Sequence, residues 1–372
     1  MYRISFIDGF CPRSYDARSL MTEPMGGTES TVTLLAESLN RFADIEVEVV
    51  QHCRELPSVS ANGVLYRGTT NLRAEASTQR SGVTVIINSP KLLKMWRRYN
   101  KNATLILWRH NFLGNRHRQI HHLLEEIDAH MVCVSQHHLA HTHNYLQLST
   151  KAPRLHAIAN PVQIYVPNDV RRDSDKLLFC SSPHKGLDQC LSLFESVRRF
   201  IPSLRLAVCN PGYLPDALIR RNAVDVLGAL TRPELHRHMS ESLCVFYPQT
   251  QFSETFGLVA AESNLLGTPI LAPAQTGALS EVVGTQEQLV DTIDLHTLVS
   301  LLQRWRSHGP PKFDEMPSFD PNHIAIQWKS FINQRGAQAS APPVDSTKFL
   351  TANPRTQTYE QEDNFEAAVK PL

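Results

Sequence analysis

Short, β-rich apolar runs alternate with helix-spaced apolar positions along most of this chain. Ile4-Ser5-Phe6-Ile7, Leu105-Ile106-Leu107-Trp108, Leu155-His156-Ala157-Ile158, Leu177-Leu178-Phe179-Cys180 and Leu243-Cys244-Val245-Phe246-Tyr247 have the character of buried parallel strands. Gly267-Thr268-Pro269-Ile270-Leu271-Ala272 reads as another. Helical spacing is carried by Val32, Leu34, Leu35 and Leu39, by the segment from Phe256 to Leu266, by Leu295 to Trp305, and by Ile324, Ile326, Trp328 and Phe331. Strand, loop, helix, strand recurs in both halves, with no solenoid-length repeat, no heptad run and no apolar stretch long enough to span a membrane.

Length turns this pattern into two domains, since 372 residues exceed one ordinary domain and 42% apolar content can fill two cores. No signal-peptide pattern stands at the N-terminus. The seven cysteines show no Cys-x-x-Cys pairing and mostly sit in apolar runs, so reduced thiols and a cytoplasmic protein are expected. The net charge of +1 selects no partner, and no nucleic-acid ligand is expected. Gly-x-Gly-x-x-Gly, P-loop and Gly-x-Ser-x-Gly patterns are absent, which argues against dinucleotide, kinase-like and hydrolase chemistry.

The chemistry concentrates in Ser253-Glu254-Thr255-Phe256-Gly257-Leu258-Val259-Ala260-Ala261-Glu262, which follows a strand-like run and a loop from Pro248 to Ser253. Unpaired amides at a helix start near Phe256, Gly257 and Leu258 suit a phosphate oxygen, and Gly257 lets it come close. Eight residues of helix rise about 12 Å, so Glu254 and Glu262 could grip two ends of one extended ligand. A carboxylate accepts paired hydroxyls well, so Glu262 suits a ribose diol and Glu254 a hydroxyl pair on a hexose. Taken alone, the pair is equally a helix with a solvated glutamate near each end.

The run from Tyr247 to Val283 continues through Gly267-Thr268-Pro269 and Thr276-Gly277-Ala278-Leu279-Ser280-Glu281. It resembles the retaining, nucleotide-sugar-dependent glycosyltransferases of the GT-B fold, family 4 (glycosyltransferase group 1 type), whose signature is a Glu-x₇-Glu pair before a Gly-Thr-Pro strand. Other segments agree in order. Met25-Gly26-Gly27-Thr28-Glu29 is similar to the family's glycine loop, where two glycines let backbone approach a diphosphate, although read alone it is a turn with Thr28 as N-cap. Arg109-His110-Asn111 ends a strand, and the resemblance maps a sugar-contacting histidine to His110. Asn160-Pro161-Val162 resembles the interdomain crossover. Ser181-Ser182-Pro183-His184-Lys185-Gly186 resembles the donor-phosphate loop, with Lys185 as its cation. One departure stands out: Cys180 occupies the position, about five residues before that lysine, where an arginine is common. His184 or an arginine from elsewhere would have to complete the clamp.

The resemblance implies an α/β, GT-B architecture: two facing Rossmann-like domains with a cleft between them and a C-terminal helix crossing back to the first. Residues 1–160 form the expected acceptor domain, 161–317 the donor domain, 318–335 the crossover helix and 336–372 a disordered tail. It implies a retaining, metal-independent transfer of a hexose-type sugar from a nucleotide-diphosphate donor to a saccharide or lipid-linked acceptor, in surface glycan or glycolipid synthesis. His110, Lys185 and Glu254 are the expected catalytic residues. Gly26, Gly27, Ser182, Lys185, Glu254, Thr255, Phe256, Gly257, Leu258 and Glu262 are expected to bind the donor, with no metal and no cofactor beyond that substrate. A nucleotide-sugar epimerase of the same fold and a non-catalytic sugar-nucleotide-binding or assembly subunit are the alternatives.

Lys91 through His122 hold eight Lys or Arg and no Asp or Glu, with Trp96, Tyr99 and Phe112 among them, a strip that could meet an anionic membrane inner face. Three other patterns read as structural: Asp173-Ser174-Asp175 as solvated linker, the histidines 137, 138, 141 and 143 as helix surface, and Thr231-Arg232-Pro233-Glu234 as a capping box.

Overall fold

The computed structural model describes residues 2–78, 82–148, 152–210, 221–313, 316 and 318–335. The tail expected to be disordered, 336–372, lies outside the described residues. Two compact units emerge, one built from residues 1–17, 32–159 and the C-terminal segment from 321, the other from 18–31 and 160–320.

The first unit is a doubly wound sheet. Its strands are β1 (Tyr2–Asp8), β2 (Ile45–Gln51), β3 (Ser58–Val59), β4 (Leu65–Gly68), β5 (Val83–Ile87), β6 (Thr104–Arg109), β7 (Ala129–Cys133) and β8 (Leu155–Ala157). They lie in the order β3-β4-β2-β1-β5-β6-β7-β8, parallel except for β3 against β4. Burial on both faces explains why these strands read as apolar runs rather than alternating ones. The helix Pro321–Asn333 belongs to this unit, and its Trp328 meets Trp108 edge-on at 4.9 Å, both side chains fully buried.

The second unit repeats the plan with β9 (Asp173–Phe179), β10 (Arg205–Asn210), β11 (Val224–Ala229), β12 (Ser242–Phe246), β13 (Ile270–Pro273) and β14 (Leu289–Val290). The order is β11-β10-β9-β12-β13-β14, all parallel. Chain order reverses between β9 and β12, which pair directly through Leu177 with Cys244 and Leu178 with Val245. Open α/β sheets bind ligands outside the strand ends at such a reversal.

Four expectations need correction. Asp173-Ser174-Asp175 is the start of β9 rather than linker, and its carboxylates are ion-paired to Arg205 and Arg306. His138 lies fully buried, because the hydroxyl of Ser135 caps its helix and turns that face onto Phe112. Trp96 is core rather than part of a basic strip, as the helix Pro90–Tyr99 buries Leu92, Leu93 and Trp96 on one face. Arg109 of the same strip is also buried, spending its guanidinium on the carbonyls of Asn88, Asn111 and Phe112. The cysteines are free thiols, all buried except Cys53, which is partly exposed.

Candidate active site

The loops after β9 and β12, the two strands flanking the reversal, carry the two sides of one charge pair. Lys185 Nζ lies 3.0 Å from both Oε1 and Oε2 of Glu254. The Tyr247 hydroxyl donates to Glu254 Oε1 at 2.9 Å, and Lys185 Nζ also sits 4.4 Å over the Phe252 ring. The carboxylate beside it pushes the buried Tyr247 phenol far above its usual range, after burial itself. Ser182 is buried in the same turn, its carbonyl accepting from the Lys185 amide at 2.9 Å. His184 titrates below its ordinary 6.5, first through burial and then through Lys185, so the ring is neutral at physiological pH.

The helix after β12 begins later than its spacing predicted. It spans Leu258–Leu265, with Gly257 as N-cap in the left-handed region at φ +93. An L side chain there would be strained, and its Cβ would meet Leu279 Cδ2 at 2.5 Å. Glu254 therefore stands in the preceding loop and not on the helix, so a helical rise does not set its separation from Glu262. That loop is fixed from behind, where the amide of Ala278 donates to the Glu254 carbonyl at 2.9 Å. Thr255 is partly exposed, while Phe256 is buried against Phe319 with ring centroids 5.2 Å apart.

Glu262 is buried and joined to a residue the sequence reading placed in a capping box. Arg232 Nη1 is ion-paired to Glu262 Oε1, with the two side chains only 11% and 4% exposed. The capping box itself is real, with Thr231 as N-cap of the helix Arg232–Glu241. One turn on, His236 accepts from the Tyr165 amide at Nδ1, which leaves the proton of the neutral ring on Nε2, 3.7 Å from Glu262 Oε2. Burial pulls His236 down to about 3. The only sequence signal for Arg232 is its place just past a strand end, a weak one in a chain with 37 Lys and Arg.

Gly26 and Gly27 open the helix Gly27–Leu39, and residues 18–31 cluster with the second unit. A Cβ on Gly27 would meet Leu258 Cδ1 at 2.8 Å, so the glycine loop comes directly against the first residue of the helix after β12. His110 lies in the first unit just past the end of β6, its ring tilted at 48° to that of Trp108 with centroids 4.6 Å apart, and its backbone amide donates to Asn88 Oδ1 at 2.8 Å. Burial lowers its pKa to about 3, so it is a neutral imidazole. Among the described residues no group of three or more His, Cys, Asp or Glu could hold a metal ion, and no helix is long and apolar enough to cross a membrane.

Residues 172–311 match the family model described as Glycosyl transferases group 1. That segment is thus similar to a glycosyltransferase group 1 domain, and the chain has the GT-B fold of two α/β units. It is 25% identical over 236 residues to a lipopolysaccharide 1,2-N-acetylglucosaminetransferase of Salmonella typhimurium, the match covering 57% of this chain and 60% of that protein. The pneumococcal O-GlcNAc transferase GtfA, solved in complex with UDP and GlcNAc, superposes with a TM-score of 0.57 at 13% identity over 73% of this chain and 61% of its own. The UDP-GlcNAc 2-epimerase of Methanocaldococcus jannaschii superposes with a TM-score of 0.51 at 10% identity, over 89% and 99% respectively. The chain thus spans less than two thirds of the length of the two transferases.

Proposed function

We propose that the protein transfers a sugar from a nucleoside-diphosphate donor to a hydroxyl of a saccharide or lipid-linked acceptor, with retention at the anomeric carbon and without a metal. The observation that carries the reading is the Lys185–Glu254 pair at the chain reversal, beside a helix whose N-cap is a left-handed glycine. A cation held by a carboxylate, together with a helix N-terminus in the next loop, suits a diphosphate that gains charge as the sugar-phosphate bond lengthens. In this mechanism the bond from the anomeric carbon to the phosphate oxygen breaks and Lys185 stabilises the departing diphosphate. The acceptor oxygen attacks from the same face, and its proton passes to a donor phosphate oxygen. Glu254 receives sugar hydroxyls, Glu262 the ribose diol, and His110 acts as a neutral sugar contact rather than an acid.

The relatives support this reading in kind, since the Salmonella protein is named for N-acetylglucosamine transfer and the pneumococcal structure holds UDP and GlcNAc. An N-acetylhexosamine donor on UDP is therefore the first to try, and assembly of a surface glycan or glycolipid the corresponding role. The test is incubation of the purified protein with UDP-GlcNAc and a saccharide acceptor panel in EDTA, with product analysis by NMR. A glycoside of retained configuration is expected. Isomerised donor or free sugar without acceptor transfer would replace the transferase reading with epimerisation or hydrolysis, and nucleotide binding with no turnover would mark a non-catalytic binding subunit.

Membrane contact is kept in narrower form, on the exposed Lys91, Lys94, Arg98, Lys101, Arg116 and Arg118. Failure to sediment with anionic liposomes at low salt removes it.

A further inference from the structure

The proposed donor site has a charge problem that its predicted residues do not solve. Glu254 and Glu262 contribute two negative charges and Lys185 one positive, so those three groups sum to −1 against a ligand that is itself an anion. The neutral His184 does not correct the sum. A pocket of that sign would repel a diphosphate through low-dielectric surroundings.

Arg232 corrects it. It stands in the first turn of the helix Arg232–Glu241, just beyond the end of β11, and so leaves its sheet at the same edge as the loops of Lys185 and Glu254. Its Nη1 is paired to Glu262 and its Nη2 donates to Ser30 Oγ at 2.7 Å. The Ser30 hydroxyl in turn donates to the Gly27 carbonyl at 3.0 Å, so two hydrogen bonds through Ser30 link the guanidinium to the glycine loop. Burial lowers its pKa only to about 10, which leaves it protonated at neutral pH. An ion pair this deeply buried is poor evidence of a stabilising device, because desolvation offsets most of its attraction. A guanidinium has five donors in a planar fork, and two of its nitrogens are already oriented by Glu262 and Ser30.

We propose that Arg232 is the second donor-phosphate cation of this site, positioned by Glu262 and Ser30. The inference rests on the nucleoside-diphosphate reading given above. Glu262 serves two partners at once: Oε1 holds Arg232 against the diphosphate, and Oε2, opposite His236 Nε2, accepts a ribose hydroxyl. With Arg232 the four side chains sum to zero, and the bound diphosphate meets two cations instead of one.

Titration calorimetry with UDP and with uridine separates this role from a structural one. Arg232→Gln removes the charge and leaves a shorter, neutral amide donor in the same helix turn, and is expected to weaken UDP at least tenfold while changing uridine by less than twofold. Arg232→Lys is expected to recover part of the UDP affinity. Glu262→Gln should weaken both ligands, since it touches the ribose. Equal weakening of UDP and uridine by Arg232→Gln, or no change in either, overturns the assignment while the donor reading stands. A wild-type protein that binds none of UDP, GDP and ADP overturns the donor reading, and this inference with it.

Discussion

Lys185 Nζ sits equidistant, at 3.0 Å, from the two carboxylate oxygens of Glu254, a residue 69 positions further along the chain. The distance in sequence closes because β9 and β12 are hydrogen-bonded neighbours and each residue lies in the loop that follows its strand. Lys185 is 24% exposed, so the pair adds about 1 kcal/mol or less to stability, and Lys185→Ala should fold normally. Its expected effect is on the reaction, where loss of one positioned charge at a leaving group costs on the order of 100- to 1000-fold in kcat. Steady-state release of nucleoside diphosphate in the presence of acceptor reads this directly. Near-normal turnover would take Lys185 out of the mechanism.

Gly277 supports the same carboxylate from outside the signature. It adopts φ +66, and a Cβ there would run into the backbone oxygen and nitrogen of Glu254. Gly277→Ala should cost about 1–2 kcal/mol from the left-handed backbone alone and should also push Glu254 off Lys185. The expected outcome is a lower melting temperature together with a weaker nucleotide-sugar complex. A variant that melts lower but binds the donor as tightly as wild type would show that the loop absorbs the clash without moving Glu254.

The strands were legible in the sequence because both faces of a parallel sheet are buried, which leaves uninterrupted apolar runs such as Leu177–Phe179 and Leu243–Phe246. Their neighbours were not, since nothing in either run says that β12 crosses back to pair with β9. Glu254 and Lys185 could be singled out by motif, yet their pairing follows from that crossover. Gly257 was visible as a residue, while its left-handed N-cap, which delays the helix by two positions and leaves Glu254 in a loop, is a backbone fact. Arg232 was hidden in plain view: Thr231 and Glu234 explain a helix start completely, and the side chain between them is free to face Glu262. The basic stretch from Lys91 misled for a related reason, because charge counted along a helix does not say that Trp96 faces the core.

Acid should destabilise this protein through its buried imidazoles. His110, His138 and His236 are each lowered from 6.5 to about 3, in every case first by burial. The unfolded chain therefore binds more protons than the folded one between pH 3 and 6.5. Stability is fully present above 6.5 and falls as the pH drops through that window, by up to about 1.4 kcal/mol per pH unit for each such histidine. Urea midpoints at pH 7.5, 6.5 and 5.5 should fall slightly across the first interval and more steeply across the second. A midpoint that holds steady to pH 5.5 would mean that these rings reach solvent or a carboxylate on protonation.

Trp328→Ala distinguishes the two units by function. Trp328 is fully buried on the helix Pro321–Asn333, edge-on to Trp108 at 4.9 Å and 6.0 Å from Phe331, so its loss opens a large cavity in the first unit. Truncations of this kind cost about 3–5 kcal/mol. Every group assigned to the nucleotide, from Ser182 through Glu262 and including Arg232, belongs to the second unit. The variant should thus melt well below wild type while keeping its affinity for UDP at temperatures below the transition, measured by calorimetry at 10 °C and by scanning calorimetry above. Loss of UDP affinity in a variant that is still folded at the lower temperature would show that the first unit contributes to nucleotide binding, and the assignment of the donor to the second unit alone would fall.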